Sequence, residues 1–189
     1  GPASQSHMME IVDRLGLRDV LRNWVVVCAA NLVGAAGLAL IVYLSGHWEM
    51  NGGAVGAAYL KIAAAKATLP VWRAFFLGVL CNVLVCLAVW MALAGRTVTD
   101  KFIAIVFPIS AFVAAGFEHS IANMYFVPLA LLIRDFDPAF GPGLRDEWLG
   151  WGSFLAGNLV PVTVGNLIGG TVLVAAVYWF VYLRRPAPG

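Results

Sequence analysis

Charge is what this sequence has least of. Only 12% of its 189 residues are Asp, Glu, Lys or Arg, while 61% are apolar. Soluble domains carry about a quarter charged and about half apolar residues. One small soluble core cannot hide so many apolar side chains, which excludes a soluble enzyme, a nucleic-acid-binding module and a disordered tail. The net charge of +2 is too small to hold a polyanion. Cysteine is scarce as well. Cys28, Cys81 and Cys86 all sit in apolar runs, in odd number and without ligand spacing. That excludes a disulfide framework and leaves three small buried apolar residues. His47 and His119 are the only histidines beyond His7, too few and too far apart for a metal site. No cofactor is expected.

What the sequence has instead is long uncharged runs. Residues 1–8 (GPASQSHM) read as a cloning scar. Residues 9–23 interleave Ile11, Val12, Leu15, Val20 and Leu21 with charges, which predicts a helix at the membrane surface rather than a secretory signal. At about 20 residues per crossing, the chain has room for roughly four to six spans. Four are predicted, over 24–45, 70–94, 102–133 and 154–183, within one channel domain over 24–185. The Gly-rich stretch after Asn51 is a turn, and residues 57–69, with Lys61 and Lys66, are an interfacial segment or a span entrance. Seven Lys and Arg fall on the side of both termini and five on the other. This bias places the C-terminus in the cytoplasm.

Two segments echo each other. Ala30-Asn31-Leu32-Val33-Gly34 lies in the first span and Gly165-Asn166-Leu167-Ile168-Gly169 in the last. Small residues four apart admit a close helix crossing, and an Asn there can hydrogen-bond across it. Two readings stand: independent packing motifs, or an internal repeat of three helices, as in many transporters. In the second reading the last repeat is complete, and the first has only its third helix.

The stretch from Phe102 to Ile133 is about 32 residues, or roughly 48 Å as one helix. That overshoots a hydrocarbon core of roughly 30 Å. Glu118 and His119 lie near its midpoint, just after Gly116. A helix broken near Gly116–Ser120 accounts for both facts, with Ser120 capping the second half. Broken helices at this depth survive only where they line a cavity or pack inside protein. The N-terminus of the second half suits an anion. An ionisable pair in mid-membrane marks function by default, and His119 is the side chain that changes charge near neutral pH. Glu118 is assigned to the free backbone N–H groups at the break, because a bare carboxylate would repel an anion. Asn82, mid-span, either sets the His119 tautomer or holds helices together.

The string Gly116-Phe117-Glu118-His119-Ser120-Ile121-Ala122-Asn123-Met124 resembles the formate/nitrite transporter family. So do Asn82–Trp90, Ala30–Gly34 and Pro161–Gly170, and the resemblance covers residues 9–185. It implies an all-α, polytopic, aquaporin-like fold, assembled as a homopentamer with one pore per protomer. Six helices are expected in the family and four here, one broken at mid-membrane. The two helices lacking are the family's first two, the second of them broken. The implied function is passage of small monovalent anions, formate or nitrite, with or without protons, across the bacterial inner membrane. Asn123–Asp135 and Pro161–Gly170 look more like formate than nitrite channels. The resemblance makes His119 the central pore histidine and Asn82 its partner. Phe112 and Val85 become the two apolar constrictions, and Lys66 a basic residue of the outer vestibule. Gly116, Phe117, Glu118, Ser120 and Asn123 become structural residues of the break.

The resulting expectation is a channel in which basic residues gather anions, the constrictions strip water, and His119 donates a hydrogen bond or a proton. Alternatives are a nitrite channel of the same kind, a non-conducting fragment, a neutral-solute channel and an intramembrane enzyme. The neutral-solute channel lacks an Asn-Pro-Ala pair, and the enzyme lacks a nucleophile motif.

Overall fold

The computed structural model describes residues 16–137 and 150–183. The predicted scar, the first part of the predicted surface helix and the loop after Asp137 lie outside the described residues. Helix and turn account for all regular structure among those described.

Six helices follow in order. The first, α1 (Leu17–Leu44), runs unbroken through the boundary expected at residue 23. No proline interrupts this segment, so the surface and spanning parts share one helix. A tight turn follows, with Gly46, Asn51, Gly52 and Gly53 all at positive φ. It leads into α2 (Ala54–Ala67). At 14 residues, α2 is about 21 Å long, too short to cross. Pro70 opens α3 (Val71–Ala94). Thr97 and Asp100 form a reciprocal capping box at the start of α4 (Val98–Ala114). The carboxyl of Asp100 sits below its ordinary range because the Thr97 backbone, the Thr97 hydroxyl and the Arg96 backbone hydrogen-bond it. After a gap comes α5 (Ser120–Phe136). The last helix, α6 (Trp151–Val181), alternates α-helical turns with π-helical turns at Phe154–Leu159 and Gly169–Ala175.

By length and composition α1, α3 and α6 can each cross a bilayer. The halves α4 and α5 have 17 residues each, about 25 Å, and neither crosses alone. Together they make the fourth, broken crossing.

The buried core lies where α5 meets α1, α2 and the start of α6. It includes Leu60, Met124, Val127, Leu129, Leu131, Ile133 and Phe154. On the other side α3 crosses α6 with backbone touching backbone. A Cβ at Gly165 or Gly169 would collide with the carbonyl oxygens of Phe75 and Val79. A Cβ at Gly78 would lie 2.9 Å from the Val162 carbonyl oxygen. Only glycine allows this approach. In contrast, α1 buries only Ala39, and most of its large apolar side chains are exposed. The three cysteines are free.

Candidate functional site

The break between α4 and α5 is made by backbone. Gly116 takes φ +67°, a conformation that side chains disfavour. The chain then runs extended to His119 (φ −116°, ψ 117°), and α5 begins at Ser120. A helix start leaves its first N–H groups without partners. Ser120 N–H donates to Asn166 Oδ1 at 2.9 Å, and Asn123 N–H to the His119 carbonyl at 3.0 Å. Ala122 N–H donates to His119 Nδ1 at 3.4 Å. The cap is therefore His119, not Ser120. Ser120 is already helical, and its N–H is taken by a residue 46 positions away. The Ile121 N–H has no partner among the described residues.

Asn166 ties the break to the α3–α6 crossing. Its Nδ2 donates to the carbonyls of Gly78 at 2.8 Å and Glu118 at 3.0 Å, while Oδ1 accepts from Ser120. One side chain thus satisfies three backbone groups that the break and the crossing leave over. Asn82 does not reach His119; its Nδ2 donates to the Asn166 carbonyl at 2.5 Å. It secures the residue that secures the break.

The Glu118 carboxylate turns away from the backbone. Oε1 receives Lys66 Nζ at 2.9 Å. Oε2 receives Asn123 Nδ2 at 2.6 Å and Asn158 Nδ2 at 3.3 Å. Asn123 also donates to Asn158 Oδ1 at 2.7 Å, and Asn158 donates to the Lys66 carbonyl at 3.1 Å. Glu118 is 3% exposed, and Asn123 and Asn158 are fully or nearly fully buried. The expectation that Glu118 serves free backbone N–H groups is thus corrected: side chains of α2, α5 and α6 take its oxygens, because Lys66 offers a full charge. Lys66, expected in the outer vestibule, is held at the C-terminal end of α2 by this carboxylate. Asn123 Oδ1 is buried without a partner among the described residues.

His119 is half-buried, its ring stacked on Phe112 at 6.0 Å between centroids and 22° between planes. With Nδ1 accepting a backbone N–H, the neutral ring carries its proton on Nε2. His119 lines a groove of about 440 Å³ with Asn31, Gly34, Ala122 and Tyr125. A neighbouring groove of about 620 Å³ is lined by Asn31, Asn82, Ser120, Thr163 and Asn166 among others. Ile121 borders both. Val85 lies half-buried one turn beyond Asn82 on α3 and lines neither groove; Phe117 is half-buried in the break itself. No cluster suited to a metal occurs among the described residues.

A helix break, a buried ion pair beside it and a histidine lining a groove bring polar groups together inside an apolar molecule. The family sequence model described as formate/nitrite transporter matches residues 7–180. The chain belongs to the formate/nitrite transporter family. It is 42% identical over 178 residues to the formate channel FocA of Escherichia coli K12, across 91% of this chain and 62% of that protein. It therefore spans less than two thirds of that relative's length. Among solved structures it is similar to a pentameric formate channel with formate bound, at a TM-score of 0.83 and 38% identity. That match covers 90% of this chain and 69% of the other. An ion channel of the same family matches at a TM-score of 0.64 and 35% identity, over 79% of this chain and 54% of the other.

Sequence reasoning did not find Asn158, and it gave Asn166 a hydrogen bond across a helix crossing without placing it at the break. The available signal was the two asparagines in the largely apolar run of α6. Such residues rarely face lipid.

Proposed function

We propose that this chain forms the greater part of a channel protomer for small monovalent anions, formate first, in the bacterial inner membrane. The protomer works in a homopentamer, its C-terminus in the cytoplasm. Kinship with formate channels supports the anion, and the solved pentameric relative supports the assembly.

The observation that carries the mechanism is the double duty of His119. Nδ1 accepts the Ala122 N–H, which leaves Nε2–H as the donor available to an anion. The unpartnered Ile121 N–H and the α5 N-terminus add positive potential beside it. An anion stripped of water meets a high cost in apolar surroundings, and these donors offset part of it. A ring protonated on both nitrogens has no lone pair left at Nδ1. Charging His119 and capping α5 thus exclude each other. Transfer of the Nε2 proton from the doubly protonated ring to a carboxylate sends the substrate on as the neutral acid and leaves the ring neutral with its proton on Nδ1; the cap returns once that proton is lost and Nε2 is protonated again. Phe112, stacked on the ring, holds its plane. Lys66 neutralises Glu118, so the buried carboxylate does not repel the anion. Asn82 acts at one remove, through Asn166.

Formate uptake into liposomes, with nitrite in parallel, across about pH 5 to 8 tests this reading. The assay uses the full-length protein and His119→Phe, which keeps the stacked ring and removes the proton. The variant is expected to lose the pH dependence of uptake. An unchanged pH profile would sink the protonation role.

A further inference from the structure

Tyr59 of α2 and Tyr125 of α5 place their hydroxyl oxygens 3.2 Å apart, in the half-buried layer between the two helices. Either oxygen fits as the donor. Two phenols bring two O–H hydrogens, and one contact uses only one of them. Neither hydroxyl has another partner among the described residues. One donor is therefore left over, and a donor kept from water without an acceptor is costly.

The two residues are not equivalent. Tyr125 lines the groove that His119 lines, and Tyr59 does not. Tyr59 stands behind it. Its ring meets Tyr125 edge-on at 6.2 Å between centroids and leans on Phe126 at 6.1 Å, contacts that hold the ring in place. When Tyr125 donates, the spare hydrogen sits on Tyr59, outside the groove lining. When Tyr59 donates, the spare hydrogen sits on Tyr125 and serves the groove.

We infer that the Tyr125 hydroxyl is a second binding subsite for a small carboxylate anion, and that Tyr59 is the positioning residue that aims it. An acceptor in the groove draws the pair into the arrangement in which Tyr59 donates. A hydroxyl that accepts a hydrogen bond donates a stronger one, so Tyr59 also reinforces the contact. A charged acceptor gains more from such a donor than a neutral one does, which favours an anion. His119 and Tyr125 are six residues apart, about 9 Å along a helix. That is wider than one carboxylate, so the anion passes from one donor to the other instead of being held by both. A phenol stays neutral from about pH 5 to 8, so this subsite holds the anion and takes no part in proton transfer. The inference rests on the channel reading for its effect on transport, and on the hydroxyl pair for the binding itself.

Two measurements on the full-length protein test it. The first is the formate-induced infrared difference spectrum, with tyrosine isotopically labelled to mark its C–O band. Formate is expected to shift a tyrosine band in the wild type and in Tyr59→Phe, but not in Tyr125→Phe. No tyrosine shift in the wild type, or the same shift in Tyr125→Phe, overturns the inference. A shifted band in a protein that carries no formate would overturn the channel reading and leave the subsite standing. The second measurement is the concentration dependence of formate uptake. Tyr125→Phe is expected to raise the half-saturating formate concentration about tenfold, and Tyr59→Phe by about threefold at most. Both variants keep the ring and its packing. A hydrogen bond that only braces α2 against α5 is lost equally from either side, so equal effects of the two variants overturn the inference.

Discussion

Lys66 and Glu118 are 52 residues apart and meet at 2.9 Å inside the molecule. Buried ion pairs rarely stabilise relative to apolar replacements, but breaking one by removing a single partner costs about 3–5 kcal/mol. Here the two amides lower the cost of keeping the pair, since Asn123 and Asn158 both donate to the carboxylate. Lys66→Met and Glu118→Leu alone are therefore each expected to lower the melting temperature of the detergent-solubilised protein clearly. The double variant is expected to recover part of the loss. Strictly additive losses in that cycle would show that the two side chains are not coupled. None of this pairing was legible beforehand. The sequence singles out Glu118 as an ionisable residue in mid-span and puts Lys66 in an interfacial segment, but a lysine near the end of one helix and a glutamate at a distant break carry no mark of their contact. Nor did the capping of α5 follow from preference. Serine is the better N-cap by propensity, yet Ser120 is already the first helical residue, and the imidazole of the residue before it caps.

At the level of elements, the broken helix was the most legible feature. A run too long for one crossing, with a glycine and two ionisable residues at its centre, leaves few other solutions, and Gly116 takes the positive φ that the turn demands. The helix crossing between α3 and α6 was half legible. The glycine spacing announced a close approach without saying which helix would make it. Because the approach is backbone to backbone, there is no side chain that can move aside to relieve a clash. Gly165→Ala is therefore expected to cost about 1–3 kcal/mol or more by overpacking, and to reduce the yield of assembled protein on size exclusion. Gly157→Ala, in the same helix but with nothing within 4 Å of the new Cβ, is expected to behave as wild type. Equal yields from the two would mean that α3 does not lie against Gly165 in the membrane.

The whole molecule is arranged for a bilayer from outside as well as within. Many of its large apolar side chains are exposed, and α1 shows them along most of its length. The aromatic residues among them are not scattered. Trp72 and Trp90, 60% and 42% exposed, stand near opposite ends of α3. Eighteen residues separate them, about 27 Å along a helix, which matches a hydrocarbon core of roughly 30 Å. Trp151 and Trp179 near the ends of α6 are as exposed, but lie farther apart, about 42 Å along a helix. Tryptophan settles at the headgroup boundary, where its ring is apolar and its N–H stays wet. Arg73 stacks over Trp72 at 5.1 Å, which puts a cation at the same depth. The α3 pair thus marks the two faces of the membrane. Trp48, by contrast, is buried against Tyr43 and reports on the core. Lipids brominated near the headgroup end of the chain are accordingly expected to quench most of the tryptophan fluorescence. Lipids brominated near the chain terminus should quench it much less. Replacing Trp72 and Trp90 together by Phe should lower the headgroup-level quenching by the share of those two and leave the emission of the other five tryptophans, buried Trp48 among them. Stronger quenching from the chain terminus would place α3 across the membrane at another depth, and would move the break at Gly116 away from the bilayer centre with it.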